Sequence, residues 1–181
     1  LYLHMGLKDH GWDIMNLFGR EMRKRGLDPN GRIIMTTQSK QPPSVPVGLL
    51  NMIYNSADVS VNTCKGEGHG LVNHESAACR IAQIVPNHTS LKEIFDGAAP
   101  LIDNCFMDVD MNYNRDMPVP SAEHLAEILG ELYDDRDRLD RVAQSCYDRA
   151  TDDKYQWATI ATQFDELFAE VLQPEPERTT P

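Results

Sequence analysis

One run of the chain concentrates ligand-binding groups: Lys65-Gly66-Glu67-Gly68-His69-Gly70-Leu71-Val72-Asn73-His74-Glu75. Two carboxylates, Glu67 and Glu75, have seven residues between them, and three glycines fall within five positions. Glycines at that density let the backbone turn tightly and approach a ligand closely. A helix starting at the last of them would offer unpaired N–H groups and a positive dipole end, which suits phosphate or diphosphate. Each carboxylate has two acceptor oxygens and can grip the vicinal hydroxyls of a ribose or hexose. Phosphate on amides and sugar on carboxylates together point to a nucleotide-sugar. A plainer reading covers the same residues: a glycine turn with Glu67 in solvent and Glu75 in the field of the helix dipole. The residue types alone leave both readings open.

Other clusters weigh less. Asp108-Val109-Asp110 has the form of a metal-binding D-x-D motif but sits in a Met/Asn-rich stretch far from the two glutamates, and it reads as a surface loop. His69 and His74 are five apart, poor spacing for two ligands on one helix face, so no metal is expected. The G-x-G-x-x-G fingerprint of NAD-binding domains is absent, since Gly66, Gly68 and Gly70 lack its spacing. Trp12 and Trp157 read as core or helix-packing residues rather than stacking platforms. Asn87-His88-Thr89 matches a glycosylation sequon; with no secretion signal it reads as chance.

For the two glutamates to converge, the run must leave a strand and enter a helix, and the flanking pattern supplies both. Asp58–Asn62 (DVSVN) is strand-like, and Gly70–Cys79 reads as a helix. The alternation continues on either side. Leu1–Met5, Arg32–Thr37, Ala82–Pro86 and Ala98–Ile102 read as strands. Trp12–Arg25 (stopped by Gly26), the Leu49/Leu50/Ile53/Ala57 stripe and Ser90–Phe95 read as helices. The segment QPPSVP is a loop. After Ile102 the rest reads as helical. Ser121 is the N-cap candidate of a helix with Leu125, Ile128, Leu129 and Leu132. A second helix carries Leu139, Val142 and Cys146, and a third carries Trp157, Ile160, Phe164, Leu167 (or Phe168) and Val171. DDRDRLDR at 134–141 is a solvated face or inter-helix turn. The predicted fold is α/β: a Rossmann-like parallel sheet with helices on both faces, finished by C-terminal helices. The domain runs over 1–172, and 173–181 is a disordered tail.

Composition bounds the function. The 181 residues carry 17 Lys+Arg against 28 Asp+Glu, a formal charge of −11. That balance argues against nucleic-acid binding and against an anionic membrane surface. It leaves a small anion open, because amides hold phosphate without net positive charge. No apolar run approaches the roughly 18–20 residues of a membrane span. Cys64, Cys79, Cys105 and Cys146 are scattered, which suggests reduced thiols and a cytoplasmic setting. The abrupt apolar start Leu1-Tyr2-Leu3-His4-Met5 reads as that of a fragment or excised domain.

The run E-G-H-G-L-V-N-H-E resembles the E-x7-E signature of retaining glycosyltransferases of the GT-B fold (glycosyl transferases group 1, family 4 type). The wider segment LLNMIYNSADVSVNTCKGEGHGLVNHESAACRIAQIVPNHTSLKEIF follows the same family order, and W-x-x-I-A at Trp157 is similar to the closing helix. The resemblance covers one half of a GT-B enzyme, the donor-binding C-terminal half, with its first strand missing. It implies that Glu67 is catalytic, contacting donor-sugar hydroxyls. The amides of Gly68, His69, Gly70, Leu71 and Val72 would line the sugar and diphosphate, and Glu75 would bind the ribose hydroxyls. The loop from Met35 through Thr36 and Thr37 would lie by the base, with Gly6 near the same edge. No metal and no cofactor are implied. The partners would be a nucleotide-sugar (UDP-, GDP- or ADP-linked) and an acceptor held by an absent N-terminal domain. The alternatives are a non-catalytic nucleotide-binding or regulatory Rossmann-like domain, and a GT-B sugar epimerase. The chain departs from the pattern in four ways. His69 stands for an aromatic, Arg80 for a small residue or Gly, and Ala82 for Pro. The family's basic pair for the diphosphate has no counterpart; neither Lys8 nor Lys65 fits it.

Overall fold

A computed structural model describes residues 1–5, 8–9, 12–36, 44–111 and 114–172. The chain divides into two compact units, residues 1–50 and 51–181.

In the first unit, strand β1 (Tyr2–Leu3) leads to a two-residue antiparallel pair, β2 (Lys8–Asp9) with β3 (Trp12–Asp13), and then to helix α1 (Ile14–Lys24). Strand β4 (Ile34–Met35) returns beside β1 in parallel, with Tyr2 opposite Ile34 and Leu3 opposite Met35. Local chemistry sets the ends of α1. The Asp13 carboxylate accepts from the Asn16 N–H at 3.1 Å, filling one of the donors a helix start leaves unpaired. At the other end Gly26 takes φ +69°, and the Gly26 and Leu27 N–H groups close onto Arg23 and Met22 carbonyls at 3.0 and 2.9 Å. That left-handed turn is the stop expected from Gly26. The small β2–β3 pair is an addition to the predicted elements. Its two residues per strand are too few to show a period. Gly6 and Thr37 lie outside the described residues, as does the Trp12 side chain.

Helix α2 (Val47–Tyr54) precedes the strands of the second unit. There β5 (Val59–Val61), β6 (Ala82–Pro86) and β7 (Leu101–Ile102) form a parallel sheet in that order. Helix α3 (Leu71–Ala78) crosses from β5 to β6, and α4 (Thr89–Phe95) from β6 to β7, as parallel neighbours require. Strand β6 is buried along its whole length and splits the core by alternation. Val85 packs with Ala77, Leu91, Ile94, Phe95, Cys146 and Ala150 on one face. Ala82 and Ile84 pack with Ile102, Ile128, Leu132 and Leu139 on the other. Helices α5 (Ala122–Asp134) and α6 (Arg136–Ala150) supply much of both faces, so the sheet is covered on each side as predicted. Ser121 caps α5, accepting from the His124 N–H at 3.2 Å. The charged run 134–141 straddles the junction of two helices: Asp134 ends α5, Asp135 alone separates the helices and accepts from the Arg138 N–H at 2.7 Å, and 136–141 open α6.

Two expectations are corrected here. Residues after Ile102 do not pass directly into helices. Strands β8 (Asn104–Asp110) and β9 (Arg115–Pro120) form an antiparallel hairpin, with Met107 opposite Pro118 and Asp110 opposite Arg115. Asp108 and Asp110 therefore lie in a strand rather than a loop. Two prolines in β9 hid the strand from the sequence. They are tolerated because each member of a two-stranded ribbon is an edge, where half the N–H groups face away from the partner. The second correction concerns Trp157. It opens helix α7 (Trp157–Val171) after a 3-10 turn at Asp153–Tyr155, but it is 84% exposed and packs in no core. No residue of α7 is buried. Among the described residues, no helix is long and apolar enough to cross a membrane.

Candidate functional site

The glycine loop leaves the carboxyl end of β5 and enters α3, at the sheet edge where open α/β folds bind ligands. A chain of side-chain amides, half-buried at Asn62 and buried beyond it, fixes it there. The Asn62 Oδ1 accepts from the Cys64 N–H at 2.8 Å, holding the start of the loop. The Asn62 Nδ2 donates to Asn73 Oδ1 at 2.8 Å, and Asn73 Nδ2 donates to Gln83 Oε1 at 3.0 Å. Ser76 Oγ donates to the same oxygen at 3.1 Å, and Gln83 Nε2 donates to the Ile81 carbonyl at 2.9 Å. Asn73, Ser76 and Gln83 are all fully enclosed. Buried polar groups must be paired, and a fully paired network rigidifies what it joins. This one joins loop, helix and central strand. The sequence reading missed it. Its signal was present: a lone glutamine within the apolar run AQIVP, and Asn73 and Ser76 three apart on the same helix face.

Gly70 makes the bend into α3. Its φ is +79°, and a Cβ there would lie 2.3 Å from Leu91 Cδ2, in the core. The space beside Gly66 and Gly68 is open, with nothing within 4 Å of a built Cβ. The first bond of the α3 ladder runs from His74 N to Gly70 O at 3.0 Å. The N–H groups of Leu71 and Val72 thus precede that ladder, and no side chain caps this end. Both side chains are exposed. The Ser90 hydroxyl donates to the Glu67 carbonyl at 2.9 Å, tying the loop to α4. The Glu67 carboxylate is exposed and accepts only from the adjacent Gly68 N–H, at 3.2 Å, among the bonds described.

Glu75 lies one turn further along α3. Its Oε2 accepts from the Tyr54 hydroxyl, at the end of α2, at 2.8 Å. Burial, then the Glu75 carboxylate, pushes the Tyr54 phenol far above its ordinary range, so it stays a donor at any working pH. Lys65 pairs with Asp108 of β8, and that ammonium holds the Asp108 carboxyl below its ordinary value. The hairpin is thereby tethered to the loop. The His69 ring lies tilted by 39° beside that of His74, centroids 5.3 Å apart, and Tyr155 meets His74 edge-on at 4.8 Å. Burial first, then His69, lowers the His74 pKa. No group of three metal-ligating side chains occurs among the described residues.

Glu67, Gly68, His69, Gly70, Leu71, Val72 and Glu75 thus share one loop–helix turn of the second unit. Thr36 belongs to the first unit, at the end of β4. Its hydroxyl bonds Tyr2 and, at 2.8 Å, His4 Nδ1. Thr37 falls outside the described residues. Two left-handed residues flank β6, Arg80 before its amino end and Thr89 after its carboxyl end, the latter at the edge of the glycine loop and missed as a site residue. Arg80 closes α3 with φ +61°, its N–H on the Ala77 carbonyl at 2.8 Å, a left-handed turn that favours glycine. Thr89 follows β6 with φ +52°; such strain in a β-branched residue concentrates at functional sites.

No family model and no curated protein matches the sequence. Solved structures do match in fold. The C-terminal domain of a glycosyl transferase group 1 family protein, LpcC, from Francisella tularensis has a TM-score of 0.58 and 22% identity, over 80% of this chain and 64% of that one. HepE from Anabaena, solved with UDP and glucose, has a TM-score of 0.60 and 15% identity, over 87% and 37%. Sucrose-phosphate synthase from Thermosynechococcus elongatus has a TM-score of 0.63 and 20% identity, over 94% and 38%. This chain spans less than two thirds of each. It has the α/β fold of a glycosyltransferase C-terminal domain, one half of the GT-B architecture.

Proposed function

We propose that this chain is the donor-binding half of a retaining glycosyltransferase that moves a hexose from a nucleotide-sugar to an acceptor. One observation carries the reading: an open amide turn from Gly66 to Val72 with no side chain capping α3, Glu67 exposed at its mouth on the Gly68 N–H alone among the bonds described, and Glu75 anchored one turn behind. The amides of Gly68, His69, Gly70, Leu71 and Val72 receive the diphosphate and sugar. The Glu67 carboxylate accepts sugar hydroxyls and faces the charge that develops at the anomeric carbon. Glu75 accepts the ribose hydroxyls. Catalysis is positioning plus electrostatic stabilisation of the departing diphosphate, with no metal or cofactor in the scheme. The UDP and glucose bound in HepE are consistent with such a donor. The acceptor is assigned to an N-terminal domain, and the protein to the cytoplasm.

Titration with UDP-, GDP- and ADP-sugars tests the reading. One of them binds the full-length protein, and Glu75→Ala weakens it about tenfold or more, the scale of a lost hydrogen bond to a charged group. Absence of binding to the full-length protein supports instead a regulatory domain that keeps the loop as architecture.

A further inference from the structure

Glu75 is exposed, and an exposed glutamate samples several rotamers. Here one oxygen is held. Tyr54 reaches it from another helix, 21 residues away in sequence, at 2.8 Å. The same two helices are joined again where Cys79 Sγ donates to Asn51 Oδ1 at 3.2 Å. The holder is a neutral phenol, not a cation. It orders the carboxylate without cancelling its charge, so the free oxygen keeps its full strength as an acceptor.

We propose that Tyr54 orients Glu75 so that Oε1 is left for the ribose hydroxyls, which makes Tyr54 the positioning residue that sets the preference for ribo- over 2′-deoxyribonucleoside diphosphates. The proposal rests on the reading of Glu75 as the ribose ligand. A site built around a substrate hydroxyl rejects the analogue that lacks it, because its own polar group is then left unpaired.

The test is equilibrium titration of the full-length protein with UDP, ADP and GDP and their 2′-deoxy counterparts. The best of the three binds the wild type about tenfold more tightly than its 2′-deoxy form, the scale of one hydrogen bond to a charged group. Tyr54→Phe keeps the ring and the 2′-deoxy affinity but brings the preference to within about twofold. Glu75→Gln does the same, and the double variant loses no more. Asn51→Ala, which breaks the other tether between the helices, keeps the preference. If Glu75→Gln abolishes the preference and Tyr54→Phe retains it, the positioning role is overturned while the site stands. If Asn51→Ala abolishes it as well, Tyr54 acts only through helix packing and the proposal is overturned. If Glu75→Gln retains it, or no nucleotide binds, the reading of the site falls and the proposal with it.

Discussion

Gly70 and Arg80 begin and end α3 in the same left-handed region with opposite side-chain chemistry. At Gly70 a side chain would suffer twice, from the conformation and from Leu91 Cδ2 at 2.3 Å in the core. Gly70→Ala is expected to lower the unfolding free energy by about 2–4 kcal/mol, summing a left-handed penalty and overpacking. Arg80 already bears the first of these costs. Arg80→Gly is expected to raise stability by about 0.5–1 kcal/mol, since the gain from relieved strain exceeds the entropy glycine adds to the unfolded chain. Denaturant unfolding of the two variants checks both signs. Histidine burial gives a third expectation. His74 and His88 are both pushed below the ordinary value by desolvation. As pH falls from about 7, the unfolded chain takes up these protons first. Stability is therefore full above that range and declines below it, levelling once the folded imidazoles also protonate. His74→Phe is expected to make the decline between pH 7.5 and 5.5 shallower, measured by denaturant midpoints.

The β5–loop–α3–β6 unit holds together by two kinds of contact that respond differently to substitution. Its apolar face is ordinary core, but its polar face depends on Gln83, whose Oε1 accepts from both Asn73 and Ser76. Gln83→Val makes β6 a uniformly apolar strand, yet it strands the buried Asn73 Nδ2, while Ser76 Oγ keeps the Asn73 carbonyl at 3.2 Å. The expected loss is about 1–3 kcal/mol, and the triple change with Asn73→Leu and Ser76→Ala recovers part of it, because both sides of the network are then apolar. The hairpin is held to the loop by the exposed Lys65–Asp108 pair. Such pairs add little to stability. Asp108→Asn is expected to leave the thermal midpoint unchanged while freeing the Lys65 ammonium beside the loop.

At the scale of the whole chain, an acidic protein of charge −11 is proposed to hold a diphosphate. The loop amides and the start of α3 resolve the conflict, since fixed N–H groups attract an anion locally whatever the net charge. The chain also spans 37% and 38% of the HepE and sucrose-phosphate synthase chains it matches. On the proposed reading the acceptor side of the cleft belongs to an N-terminal domain. The isolated 181 residues are expected to bind a nucleotide-sugar and show little or no transferase activity; robust turnover by this piece alone would overturn the half-site reading.

Strand alternation, glycine spacing and helix caps act over a few residues, so the sequence by itself determined β6 to the residue, the start of α3, the stop at Gly26 and the Glu67–Glu75 run. Its failures share one cause. The β8–β9 ribbon is stabilised by its partner strand rather than by a period, Trp157 is exposed because nothing packs on it, and the Asn62–Asn73–Gln83 chain joins residues brought together only by folding. Tyr54 is the sharpest case. No spacing rule links it to Glu75, because the distance between them is set by how α2 docks on α3. Local chemistry was readable in order along the chain, while pairing across elements was decided by the tertiary structure, where burial requires every polar group to find a partner.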